Sequence, residues 1–145
     1  MIKRALVPLD TTETTEDVLP IVALLATAGA AVRLIHVAPV PDSVVTPEGR
    51  TVAYADQAMA NVQARWSDSL RETAARLPGA IDHVVRFGDA ASEILAEAEA
   101  FGADTILVAT GTRSSVKRAL LGSVAEGMLQ RARVGVLLYR PPRSL

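Results

Sequence analysis

The sequence predicts an α/β fold, a doubly wound parallel sheet with helices on both faces. Three observations point to it. Short apolar runs alternate along the chain with longer segments whose apolar residues recur every three or four positions. Runs such as Thr105 to Ala109 are apolar almost throughout, as strands covered on both faces are. Glycine or Pro-Gly follows most of the helical segments, where a chain must turn back toward the sheet.

Taken in order, Ala5-Leu6-Val7-Pro8-Leu9 is a first buried strand ending at Asp10. The Thr and Glu run from Thr11 to Glu16 opens a helix. Thr14 with Asp17 resembles a capping arrangement, and Leu19, Val22, Leu25 and Ala26 form the apolar stripe. Pro20 is expected either to delay the start of this helix or to bend its first turns. Gly29 ends it. Ala31 to Val37 is the second strand, and Pro39 to Arg50 is a loop rich in Pro, Asp, Ser, Glu and Gly. The longest helix spans about Val52 to Leu77, with Ala58, Val62, Trp66 and Leu70 four residues apart, and Pro78-Gly79 stops it. Ile81 to Phe87 is the third strand. Asp89 caps a helix that sets Ala91, Ile94, Leu95, Ala98 and Phe101 on one face and closes at Gly102. Asp104 to Thr110 is the fourth strand, Ser123 to about Ala132 the last helix, and Val134 to Tyr139 the fifth strand, before Pro141-Pro142.

The length of 145 residues fits one domain spanning 1–145. A net charge of -1 gives no support for nucleic-acid binding by bulk electrostatics. Having no cysteine, the chain has no disulfide, thiolate metal site or catalytic thiol. No apolar run approaches the roughly 20 residues that span a bilayer, and the expected location is the cytoplasm. The two histidines, His36 and His83, lie in separate strands without metal-ligand spacing, so no metal site is expected.

In sheets of this kind a ligand sits beyond the C-terminal strand ends, where the strand order reverses. Asp10, Val37 and Gly111 lie there. The Asp10 carboxylate can accept from a ribose hydroxyl or an adenine amino group, or it can cap the following helix or make an Asx-turn onto Thr12. Pro8 reads as an edge or strand-end residue. Strand, glycine turn at Gly111 and helix start at Gly122-Ser123 make a place where an anion can rest on backbone N–H groups. Ser123 and Glu126 have the spacing of a capping box, which would satisfy those groups internally. Arg113, Lys117 and Arg118 can neutralise phosphates or simply face solvent. Trp66 reads as core, and His36 as a satisfied core histidine. The chain lacks Gly-x4-Gly-Lys-[Ser/Thr], Gly-x-Ser-x-Gly and the paired acids of a phospho-receiver site. No catalytic constellation emerges.

Val7-Pro8-Leu9-Asp10, Leu34-Ile35-His36-Val37, Gly88-Asp89 with Ala91, Ile94 and Ala98, Asp104 to Val108, and above all Leu120-Leu121-Gly122-Ser123-Val124-Ala125-Glu126 together resemble a single-domain universal stress protein. The resemblance covers nearly the whole chain. It implies strand order 3-2-1-4-5 and a homodimer joined through the edge strand Val134–Tyr139. It implies nucleotide binding by Pro8, Asp10, Val37, Gly111, Gly122, Ser123 and Val124, with Arg113 nearby, and Mg only as the companion of a nucleotide. Many members bind ATP through Gly-x2-Gly-x9-Gly-[Ser/Thr]. Here the span from Thr112 to Leu121 is shorter and its second glycine is absent. That departure weakens the case for ATP, leaves AMP as a smaller candidate, and keeps open a dimer that binds proteins and no nucleotide. A slow ATPase would need a base or metal-ligand set that the residues do not supply.

Overall fold

The computed structural model describes residues 1–10, 12–41, 54–110 and 122–142. Five parallel strands form one sheet: β1 (Arg4–Pro8), β2 (Ala31–Ala38), β3 (Ile81–Phe87), β4 (Thr105–Ala109) and β5 (Gly135–Tyr139), in the order β3-β2-β1-β4-β5. The helices are α1 (Thr12–Thr27), α2 (Tyr54–Ala75), α3 (Ala90–Phe101) and α4 (Ser123–Arg131). The β1–β2 register runs from Arg4 opposite Ala31 to Pro8 opposite Ile35, and the β4–β5 register from Thr105 opposite Gly135 to Ala109 opposite Tyr139.

The pleat sorts each strand onto two faces. Leu6, Ile35, Ile106 and Val108 pack with Ile94 of α3 and Met128 of α4. Ala5, Val7, Val32, Leu34 and Leu107 pack with Val18 and Val22 of α1 and Leu70 of α2. Such alternation within strands that are apolar throughout is what places helices on both sides. Each buried Leu, Ile, Val or Met contributes about 1.5–3 kcal/mol relative to exposure.

For α1 one expectation is corrected and one of the two alternatives for Pro20 is excluded. The helix is under way at Thr12, so Thr14 lies within it and does not cap it. Pro20 also lies inside, eight residues from the start, and does not delay it. Pro20 and Glu16 are both exposed, so the carbonyl that loses its i+4 donor lies on the solvent side, while Val18 and Val22 bind the helix to the sheet. Pro8 is at a strand end but on a central strand, not an edge.

Helix α3 is set by its ends and by charge. The Asp89 carboxylate accepts from the Ser92 N–H at 3.0 Å, and Gly102 closes the helix at φ 71°, a left-handed conformation open to glycine. Glu97, buried on α3, receives Arg33 of β2 at 2.6 Å and Arg86 of β3 at 2.8 Å, and Arg86 also donates to Glu93 at 2.9 Å. The guanidiniums of Arg4 and Arg33 both lie over the Phe101 ring, 4.1 and 4.3 Å from its centre.

Candidate functional site

The connections leaving β1 and β4, neighbours in the sheet, diverge to opposite faces: α1 and α2 cover one face, α3 and α4 the other. The divergence opens a cleft of about 430 Å³ at the C-terminal ends of β1, β2 and β4. Pro8, Leu9 and Asp10 leave β1 along one side. Ile35, His36 and Val37 of β2, with Ala90 and Ile94 of α3, form the next wall, and Val108, Ala109 and Thr110 end β4. Gly122, Ser123, Val124 and Ala125 close it at the start of α4. The walls are mainly apolar. Asp10 is the one acidic residue among these lining residues.

Past the last β1–β2 pair, the Leu9 N–H donates to the Ile35 carbonyl at 2.8 Å. Strand backbone groups alternate sides, so Val37, two residues beyond Ile35, turns its own N–H and C=O toward the β1 side, where that strand has ended.

At the opposite wall the structure corrects one expectation. Gly122, with extended backbone at φ -67° and ψ 162°, is the N-cap of α4, and no side chain among the described residues caps it. Ser123 is the first helical residue, so the Ser123–Glu126 capping box is not formed. The physical reason is the position of the first helical bond, Glu126 N–H to the Gly122 carbonyl at 3.0 Å, which leaves Ser123 one residue too late to reach back. The first N–H groups of α4 have no intrahelical acceptor and carry the positive end of the helix dipole to the cleft. Among the described residues, a side-chain carbon at Gly122 would meet nothing within 4 Å.

His36 is buried, 8% exposed, and its Nδ1 lies 2.8 Å from the Leu9 carbonyl. A carbonyl only accepts, so Nδ1 carries the proton. Burial pushes the imidazole pKa below its ordinary value, against the opposing pull of the Leu9 carbonyl and the Asp10 charge. Trp66 of α2 stacks on the ring, centroids 3.4 Å apart and planes 13° from parallel. His36 is the satisfied core histidine that the sequence suggests, and it also borders the cleft.

Six of the expected site residues, Pro8, Asp10, Val37, Gly122, Ser123 and Val124, therefore meet around one cleft. Gly111 and Arg113 lie outside the described residues. Ala90, Ile94 and Thr110 join the lining without having been singled out. Their signal was weak: an alanine after a cap, a core isoleucine and a strand-end threonine. Among the described residues no cluster of three or more His, Cys, Asp or Glu could hold a metal ion, and no helix is long and apolar enough to cross a membrane.

The sequence pattern of the universal stress protein family matches residues 1–140. The chain belongs to the universal stress protein family. Among solved structures, the hypothetical protein MJ0577 shares its fold at a TM-score of 0.80 and 23% identity, covering 98% of each chain. The universal stress protein UspA from Lactobacillus plantarum aligns at 0.76 and 17%, over 95% of this chain and 97% of that one. A universal stress protein family member from Arabidopsis thaliana, with AMP bound, aligns at 0.55 and 16%, over 97% and 92%. No curated protein sequence matches the chain.

Proposed function

We propose that this universal stress protein is a regulatory module of the adenine-nucleotide-binding type that acts as a homodimer and binds its ligand without converting it. The cleft carries the reading. Its volume of about 430 Å³ suits a small ligand. Apolar walls accept a base beside the free backbone edge of Val37, and the Asp10 carboxylate accepts from a ribose hydroxyl or an amino group. The uncapped start of α4 at Gly122, Ser123 and Val124 suits a phosphate. The AMP complex of the Arabidopsis relative supports this reading. The short, glycine-poor span from Thr112 to Leu121 favours a monophosphate such as AMP over ATP, and Mg would accompany only a polyphosphate.

The test is calorimetric titration with ATP, ADP and AMP, with and without Mg. Micromolar binding of AMP that is lost in Asp10→Ala and in Gly122→Val is the expected result. No heat and no thermal stabilisation at millimolar nucleotide would overturn the reading.

A second reading, a protein-interaction dimer without nucleotide, draws on β5. Among the described elements this strand is paired on one side only, and Leu137 and Leu138 are exposed on it. An unpaired, apolar edge is a template for a second strand, and in either reading we assign the dimer contact to it.

A further inference from the structure

We infer that His36 is a positioning residue for the cleft, holding the Leu9–Asp10 peptide that forms its β1 rim. The β1–β2 ladder ends at Pro8 opposite Ile35. One residue on, β2 still grips the chain twice. The Ile35 carbonyl takes the Leu9 N–H at 2.8 Å, and the His36 side chain donates from Nδ1 to the Leu9 carbonyl at 2.8 Å. In a continuing parallel ladder the Leu9 carbonyl would take its bond from the backbone of β2. The imidazole gives it a side-chain donor instead. The peptide is planar and trans, so fixing the Leu9 carbonyl also fixes the Asp10 N–H, which points the opposite way.

The imidazole is itself held. Trp66 covers its face at 3.4 Å, which sets the ring plane that lets Nδ1 reach Leu9. A line of contact thus runs from α2 through Trp66 and His36 to the turn that presents Asp10. Solvent exposure of 8% removes water as a competing donor.

Two variants separate the bond from the stack. His36→Phe keeps an aromatic face on Trp66 but has no donor for Leu9. His36→Asn gives up the stack but carries an amide N–H near the place of Nδ1. The first readout needs no ligand: amide hydrogen exchange of Leu9, followed by NMR. Exchange at the Leu9 amide, which donates to the Ile35 carbonyl, is expected to quicken about tenfold in His36→Phe, with Ala5 to Val7 unchanged, and to return most of the way in His36→Asn. The second readout, AMP affinity, rests on the nucleotide-binding reading. It is expected to fall about five- to tenfold in His36→Phe and to recover in His36→Asn.

Equal exchange in the wild type and His36→Phe, or equal change in both variants spread over all of β1, would overturn the inference and leave His36 a packing residue. If the wild type binds no AMP, the nucleotide-binding reading falls, and the exchange comparison alone decides the role of His36. Should His36→Phe fail to fold, His36→Asn is compared with His36→Gln, whose amide lies nearer the place of Nε2. Slower exchange in Asn than in Gln supports the inference, and the same rate in both overturns it.

Discussion

Arg86 reaches from β3 to Glu97 on α3, Nη1 to Oε1 at 2.8 Å, while the second oxygen of Glu97 takes Arg33 of β2. The carboxylate is 6% exposed and the two arginine side chains 30% and 24%, so one nearly buried acid bridges two mostly covered bases, whose remaining charge is met by Glu93 on Arg86 and Asp82 on Arg33. This joint ties α3 to β2 and β3, and α3 supplies Ala90 and Ile94 to the cleft.

Glu97→Ala should therefore destabilise the fold by about 2–4 kcal/mol. Breaking a buried pair typically costs about 3–5 kcal/mol, reduced here because both guanidiniums keep some water. Glu97→Gln, which keeps acceptor and shape but not charge, should cost about half as much. Urea unfolding with an unchanged m-value checks both.

His36 sets a pH window. Its folded-state pKa lies below the unfolded value of about 6.5. The neutral form is therefore favoured on folding. The stability it contributes is present above pH ~6.5 and is lost as pH falls from there through the lower folded pKa. Asp89 titrates lower still. The Ser92 N–H and hydroxyl hold its carboxyl below the usual range, so its contribution persists down to about pH 4 and is lost only below that. Melting temperatures from pH 8 to 3 should fall in two stages, and His36→Phe should remove the upper stage and spare the lower one.

At Gly127 a side-chain carbon would lie 3.1 Å from the Ala91 Cβ, where α3 and α4 touch. Gly127→Ala gains about 1 kcal/mol of helix propensity and loses a similar amount to crowding, so it should be near neutral. Gly127→Ile should cost about 1–3 kcal/mol by overpacking. Thermal unfolding of the pair distinguishes the two effects.

The proposed dimer edge has its own test. The Thr110 N–H donates to the Tyr139 carbonyl and the Gly135 N–H to the Asp104 carbonyl. The alternation of strand groups then points the Leu138 N–H away from β4. Leu138→Pro removes that outward donor and spares the β4–β5 ladder, as proline on an edge strand can. Analytical ultracentrifugation should show a folded monomer in place of a dimer. A dimer unaffected by this change would exclude β5 as the contact.

The elements were legible because each has a local cause. Ile81 to Phe87 is bounded by Pro-Gly on one side and Gly-Asp on the other, and the strand has those limits. Asp89 and Gly102 cap α3 as their residue types suggest. Local reading left Pro20 open between two alternatives and misplaced the caps at Thr14 and Ser123, for one shared cause. Whether a proline is tolerated depends on which side of the helix faces the sheet. Whether a serine caps depends on where the first helical bond closes.

From the sequence by itself come the alternation of strands and helices, the apolar faces, the acid at the end of the first strand and the glycine at the start of the last helix. These follow from period and turn chemistry, which act over a few residues. That Asp10, Val37 and Gly122, separated by up to 112 positions, belong to one site was implied by the family resemblance, and tertiary structure decided the cleft they border and its other walls. It also decided that His36 holds a carbonyl just past the end of another strand while Trp66 holds His36. Those relationships depend on strand order and register. These are set by how two faces of one sheet are buried at once, and no short window of sequence contains that.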